Sequence, residues 1–160
     1  MVDKPLGRKV HVMSWEDYAR LEQNIVESLR EGFRWIASND IIIGIYRGGI
    51  ILARSLASKL GKLPMVIMKL CKESDKTCNF FGDIGIIHLH ENQKHKGRVL
   101  LVDDIADSGK TFARARALLD NHGFTNVITA TIIQKQSAAF LTDYHGMIDE
   151  TSDWIRFPWE

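Results

Sequence analysis

Residues 99–115, VLLVDDIADSGKTFARA, concentrate the groups in this chain whose types and spacing could do chemistry. An apolar run, Val99-Leu100-Leu101-Val102, leads directly into Asp103 and Asp104; Asp107 follows, and then Ser108-Gly109-Lys110-Thr111. Carboxylates this close repel one another and burial penalises each of them, so core packing gives no reason to place them at the end of an apolar strand. Paired acceptors suit a vicinal diol, which presents two O–H donors, and a divalent cation bound beside it. The Ser/Gly/Thr turn opening a helix suits a single phosphate, held by backbone N–H groups and the helix dipole. A sugar diol flanked by a phosphate describes a ribose 5-phosphate unit. The tripeptide Gly109-Lys110-Thr111 also invites a P-loop reading. That motif needs another glycine five residues earlier, where Asp104 stands and repels a triphosphate. A solvated acidic turn is the bland alternative, and it leaves the phosphate-like turn unexplained.

These groups need elements to hold them. Ser14 with Asp17 resembles a capping box, and Trp15, Tyr18, Leu21, Ile25 and Leu29 recur at helical spacing, predicting a helix that ends near Gly32. IIIGIY, 41–46, is an apolar run of strand length, as expected of a strand covered on both faces. GIILARSLASKLG, 49–61, follows as a helix with Gly61 placed to end it. PMVIMKL, 64–70, reads as a strand, CKESDKTCNFFGD, 71–83, as a polar loop, and IGIIHLH, 84–90, as a short strand. The acidic segment supplies a strand over 98–103 and a helix over 109–122 stopped by Gly123, before a last apolar strand at 126–135. Alternating strands and helices predict an open α/β fold with a mainly parallel sheet. Ligands bind beyond the carboxyl ends of such strands. The Asp cluster, the run Tyr46-Arg47-Gly48-Gly49 and Lys135 would all sit there.

The chain as a whole sets bounds on function. Its 160 residues suit a single domain spanning 1–160, and 45% hydrophobic with 26% charged residues is an ordinary globular balance. The net charge of +1 offers no general footprint for nucleic acid or an acidic membrane surface. No apolar run approaches the length of a membrane span, and the charged start MVDKPLGRKV does not read as a leader. Cys71 and Cys78 form neither a disulfide framework nor a good zinc pattern, so they read as free thiols, and the expected compartment is the cytoplasm. His88 and His90 share a face if 84–90 is a strand, but lack a third ligand nearby.

VLLVDDIADSGKT resembles the phosphoribosyl pyrophosphate signature of type I phosphoribosyltransferases: apolar strand, two acids, two spacers, Asp, Ser or Thr, Gly, any residue, Thr. YRGGI, 46–50, is similar to the pyrophosphate-binding loop of the purine members, and DWIRFPWE, 153–160, to the base-binding tail of the xanthine–guanine and hypoxanthine enzymes. The order and spacing match from about residue 11 onward. The resemblance implies the type I phosphoribosyltransferase fold: a mainly parallel sheet flanked by helices, with a small C-terminal hood. It implies transfer of ribose 5-phosphate from phosphoribosyl pyrophosphate to N9 of a 6-oxopurine, with Mg2+ as cofactor and a homodimer or homotetramer as the assembly. By this likeness Asp103 and Asp104 hold the ribose hydroxyls, directly and through the metal, and Asp107 is the catalytic acid near purine N7. Ser108, Gly109, Lys110 and Thr111 wrap the 5′-phosphate. Arg47, Gly48 and Gly49 hold pyrophosphate, in a loop that often carries a non-proline cis peptide. Lys135 contacts the 6-oxo group, Trp154 stacks on the base, and Ile155 contacts it through its backbone.

The chain departs from this pattern at LCKESDK, 70–76, which lacks the Ser-Tyr pair that usually opens the mobile loop. Two alternatives stay open on sequence alone: a non-catalytic sensor of phosphoribosyl pyrophosphate, and a phosphoribosyltransferase for another base. Lys135 favours a 6-oxopurine, because an ammonium donates and cannot accept from an amino group.

Overall fold

The computed structural model describes residues 7–35, 39–70 and 97–160. The loop expected at 71–83, the strand expected at 84–90, both cysteines, His88 and His90 lie outside the described residues. The elements are β1 (Val10–Val12), α1 (Trp15–Gly32), β2 (Ile41–Ile45), α2 (Gly49–Lys59), β3 (Met65–Met68), β4 (Val99–Ala106), α3 (Lys110–Asn121), β5 (Val127–Lys135), β6 (Tyr144–Asp149) and β7 (Trp154–Arg156).

Among the described residues five strands form one sheet in the order β3-β2-β4-β5-β6, and every pair of these is parallel. Parallel strands need crossover connections, here helices for all but β5–β6, and helices on both faces leave the central strands apolar without alternation. β2 and β5 are buried along their whole length. One face of the sheet packs under α1 and α2 through Leu21, Ile25, Leu29, Leu52 and Leu56. The other packs under α3 through Phe112, Ala115 and Leu119. α1 begins at the expected capping box: Ser14 Oγ accepts from the Asp17 N–H at 3.0 Å, and the Asp17 carboxylate accepts from the Ser14 N–H at 3.4 Å. Gly61 and Gly123, expected to stop α2 and α3, both have positive φ just beyond them. No helix among the described residues is long and apolar enough to cross a membrane.

Two features differ from the pattern read in the sequence. β4 does not stop at Asp103 but continues to Ala106, because Asp103 pairs with Thr131, Ile105 with Ile133 and Ala106 with Gln134 on β5. Backbone pairing with a buried neighbour carries the strand through its acidic residues. The hood is built from both ends of the chain: β1 pairs in parallel with β7, Val10 opposite Trp154 and Val12 opposite Arg156. The tail is therefore clamped by the N-terminal segment.

Candidate active site

Three loops meet at the carboxyl ends of the sheet, and the hood closes over them. Between them lies a cavity of about 810 Å³, in the range of small-molecule sites.

The floor is the acidic end of β4. Asp103 is buried and Asp104 half-buried. The Asp104 N–H donates to Asp103 Oδ1 at 3.0 Å, and the Gly49 N–H also donates to the Asp103 carboxylate. Asp103 thus sits at the N-terminus of α2, where the helix dipole favours its charged form. These donors do not offset its surroundings. Burial, and then repulsion from Asp104, push the Asp103 carboxyl well above its ordinary value. Burial likewise raises Asp104, to about 6, against the backbone hydrogen bond from Ile105. A carboxylate pair so short of positive charge is a donor set for a cation. No group of three or more His, Cys, Asp or Glu among the described residues forms a ready-made metal cage.

The first wall is the β2–α2 loop. Tyr46 and Arg47 are exposed at the cavity, and the peptide joining them is cis. Gly48 and Gly49 follow because the loop lies directly on the end of β4. A Cβ on Gly48 would fall on the Asp104 carboxylate, and one on Gly49 would stand 2.9 Å from Asp103 Cα. The resemblance alone suggests glycines chosen for close approach to a ligand. The geometry adds that they let the loop rest on the acid pair.

The second wall is the turn between β4 and α3. Asp107, half-exposed, and Thr111 face the cavity, and Ser108, Gly109 and Lys110 make the turn between them. Gly109 has φ +77°, and a Cβ there would meet the Phe140 backbone nitrogen at 2.6 Å. The turn is fixed from outside by the Ala139 N–H, which donates to Ser108 O at 3.2 Å. The N-cap Gly109 has no side chain to cap α3, the first turn holds no acid, and the Lys110 N–H makes only a long 3.5 Å hydrogen bond to Ser108 Oγ, so this N-terminus can receive an anion.

The roof is the hood. Trp154 is half-buried at the cavity, and Ile155 is buried beside it. Two other tail aromatics, Phe157 and Trp159, also line the cavity, but they are held by contacts of their own. Trp159 stacks on Phe157 with centroids 4.8 Å apart and meets Tyr18 of α1 edge-on at 5.2 Å. They anchor the tail to α1, and no ring among the described residues stacks on Trp154.

Lys135, at the end of β5, lines the cavity but is only 2% exposed. Its Nζ donates to Asp149 Oδ2, to Thr151 O at 3.1 Å and to Asp153 O at 2.7 Å. All three ammonium hydrogens therefore have acceptors. Asp149 stands directly opposite Lys135 in the β5–β6 register. Burial alone would raise the Asp149 carboxyl; the hydrogen bonds from Lys135 and Thr151 outweigh it and hold the group below its usual value. The pair ties the strap 150–153 to the sheet and sets where Trp154 begins.

The structure thus gathers Arg47, Gly48, Asp103, Asp104, Asp107, Thr111, Lys135, Trp154 and Ile155 around one cavity. It also brings in Arg8, which no motif in the sequence flags and whose Nη1 lies 3.7 Å from Asp107 Oδ2, while Asp153 and Glu160, the two ends of the tail segment, line the rim. Asp149 could have been found only by knowing the β5–β6 register, and Arg8 only by knowing that β1 joins the hood.

A family model for the phosphoribosyl transferase domain matches residues 14–160. Among solved structures, a purine phosphoribosyltransferase from Pyrococcus horikoshii is 27% identical, over 94% of this chain and 94% of that one, with a TM-score of 0.74. A xanthine-guanine-hypoxanthine phosphoribosyltransferase from Helicobacter pylori is 24% identical, over 95% of this chain and 93% of that one, with a TM-score of 0.67. An HGPRT-ase from Leishmania tarentolae in complex with GMP shares the fold at 18% identity, covering 91% of this chain and 84% of that one, with a TM-score of 0.59.

Proposed function

The chain belongs to the phosphoribosyl transferase domain family, and we propose that it transfers ribose 5-phosphate from phosphoribosyl pyrophosphate to N9 of guanine, xanthine or hypoxanthine, releasing pyrophosphate. The observation that carries this reading is the meeting, around one cavity, of a vicinal acid pair, an uncapped helix N-terminus, a glycine loop and a Trp154–Lys135 wall. Similar proteins named for purine, and for xanthine, guanine and hypoxanthine, lend it support.

In this reading the N-terminus of α3 and the Ser108–Thr111 turn bind the 5′-phosphate. Asp103 and Asp104 accept from the ribose hydroxyls and hold Mg2+. The fit rests on their charge: two carboxyls raised chiefly by burial, Asp103 also by Asp104 and Asp104 by Glu160, gain most from a cation. When bound, the metal supplies positive charge that favours departure of pyrophosphate as an anion. Arg47 and the backbone N–H of Gly48 donate to the same leaving group, while the Gly49 N–H stays on Asp103. Trp154 stacks on the base, Ile155 bounds it through its backbone, and Lys135 donates to the 6-oxo group by exchanging one of its two carbonyl acceptors. Asp107, half-exposed at the cavity, takes up the N7 proton as N9 attacks C1′.

The assembly read here is a homodimer or homotetramer. Among the described residues β3 is an edge strand, with Ile67 exposed on it and Tyr46 exposed beyond the end of its neighbour β2, and such edges invite a partner.

Calorimetry tests the phosphate assignment. Each charge-assisted contact contributes about 1.5–3 kcal/mol, so IMP should bind at least about tenfold more tightly than inosine. Equal affinities would overturn it.

A further inference from the structure

Granted the reading above, we infer that Arg8 is a specificity-determining residue of the base subsite: its guanidinium, standing beside Asp107, donates to the 6-oxo group on the purine edge next to N7. Nothing in the phosphoribosyl pyrophosphate signature points to this residue, which lies outside the motif and near the other end of the chain.

The supply of donors comes first. A 6-oxopurine held in a cavity without a partner for its oxygen loses a hydrogen bond it made in water, so the site needs an available N–H. The Lys135 ammonium already has three acceptors, Asp149, Thr151 O and Asp153 O. It can turn to a base only by leaving one of them. Arg8 has no such commitment. Its Nη1 lies 3.7 Å from Asp107 Oδ2, an ion pair too long for a hydrogen bond, and it makes no hydrogen bond to any described residue. A guanidinium carries five N–H donors in a rigid fork.

The position fits as well. Arg8 lines the cavity together with Asp107 and Trp154. Its backbone is registered to the stacking residue: the Trp154 N–H donates to Lys9 O at 2.8 Å, and Val10 lies opposite Trp154. Arg8 and Trp154 therefore belong to one small hood and meet the base together. A purine whose N7–H points at Asp107 carries its 6-oxo group beside that contact on the same edge. One arm of the fork can then face Asp107 while another donates to the oxygen. Guanidinium groups have the spacing to read this O6/N7 edge in guanine. An adenine presents an amino donor at the same place, against a cation that cannot accept.

The remaining cations of the cavity are placed elsewhere. Arg47 lies in the β2–α2 loop, beside Gly48 and the acid pair, and Arg156 is the last residue of β7.

The test uses the whole chain as wild type, Arg8→Met and Arg8→Lys, with IMP and with the 5′-monophosphate of unsubstituted purine riboside, which lacks the oxygen. Arg8→Met should weaken IMP about 10–100-fold while changing the oxygen-free nucleotide by less than about threefold. Arg8→Lys should recover part of the loss. With hypoxanthine as substrate, KM should rise more than kcat falls. The side chain is 38% exposed, so melting temperatures should stay together and exclude a folding effect. Equal losses for the two nucleotides, or no loss for either, would overturn the inference. If wild type binds IMP no better than inosine, the underlying functional reading fails instead, whatever Arg8 does.

Discussion

Replacing Asp149 by alanine should cost this protein far more than a surface ion pair is worth. Asp149 and Lys135 are 7% and 2% exposed and lie opposite one another on β6 and β5. Removing the carboxylate leaves a buried ammonium with only the Thr151 and Asp153 carbonyls as acceptors. Breaking such a pair from one side costs about 3–5 kcal/mol, because the desolvated charge stays behind. For a chain of this size that is a fall in melting temperature of roughly 6–20 °C. The Thr151 N–H also loses its acceptor, Asp149 Oδ1 at 2.8 Å, so the strap leading to Trp154 loosens. KM for the base should therefore rise more than KM for phosphoribosyl pyrophosphate. The double variant Lys135→Met/Asp149→Leu removes both charges and should regain most of the lost stability. The pH dependence has a definite sign. Because the folded Asp149 carboxyl lies below its usual value of 3.8, its contribution is present above about pH 4 and is lost as pH falls through the folded value. Thermal melts of the three proteins, run across pH, read the stability effects, and steady-state kinetics read the KM shift. An alanine variant melting within about 2 °C of wild type, or a double variant no better than the single one, would show that the buried pair does not hold the strap.

Further tests bear on the other walls of the site. Gly49→Ala places a Cβ 2.9 Å from Asp103 Cα, a backbone atom that cannot step aside; melting should show a loss of about 1–3 kcal/mol. Gly48→Ala instead displaces the Asp104 side chain, so steady-state kinetics should show weakened phosphoribosyl pyrophosphate use with a smaller change in melting. Asp103 and Asp104 carry raised carboxyls, so the unfolded chain gives up these protons first. Stability of the free protein should decline from about pH 4 upward, for Asp104 levelling off above its folded value of about 6, and Asp104→Asn should flatten that slope in melts from pH 4.5 to 7.5. Asp107→Asn should lower kcat by roughly 10²–10⁴ with little change in IMP affinity; turnover near the wild-type rate would move the proton-handling role elsewhere.

The parts of the fold legible in the sequence are those with long or dense local signals. α1 announces itself by five apolar residues at helical spacing behind a capping box, and β2 and β5 by unbroken apolar runs. The β4–α3 segment is legible because its residue types conflict with packing, so only a ligand explains them. The hood is illegible for the opposite reason. β1 and β7 have three residues each and pair across nearly the whole chain, so neither shows a period. β6 has an irregular burial pattern and a glycine at 146 tucked against Leu21, which hides its strand character. Lys135 could be placed at a strand end from sequence, but its three acceptors depend on the register with β6 and on the strap beyond it. The same holds for Arg8, whose relation to Asp107 is created by a parallel pairing that no local pattern encodes. Richness in rings does not by itself single out Trp154 in the tail, since Phe157 and Trp159 line the same cavity and also pack on one another and on α1.

Turnover with competing bases is the decisive measurement for 6-oxopurine transfer. With phosphoribosyl pyrophosphate and Mg2+, hypoxanthine, guanine and xanthine are compared with adenine, orotate and uracil, following nucleotide and pyrophosphate formation together. A site whose available donors are cationic rewards a 6-oxo acceptor and leaves adenine's amino group unpaired, a difference of about two to three orders of magnitude in kcat/KM. The expected result is that margin in favour of at least one 6-oxopurine, with pyrophosphate released in equal amount to nucleotide. Preference for adenine or a pyrimidine, or binding of phosphoribosyl pyrophosphate with no turnover of any base, would contradict it.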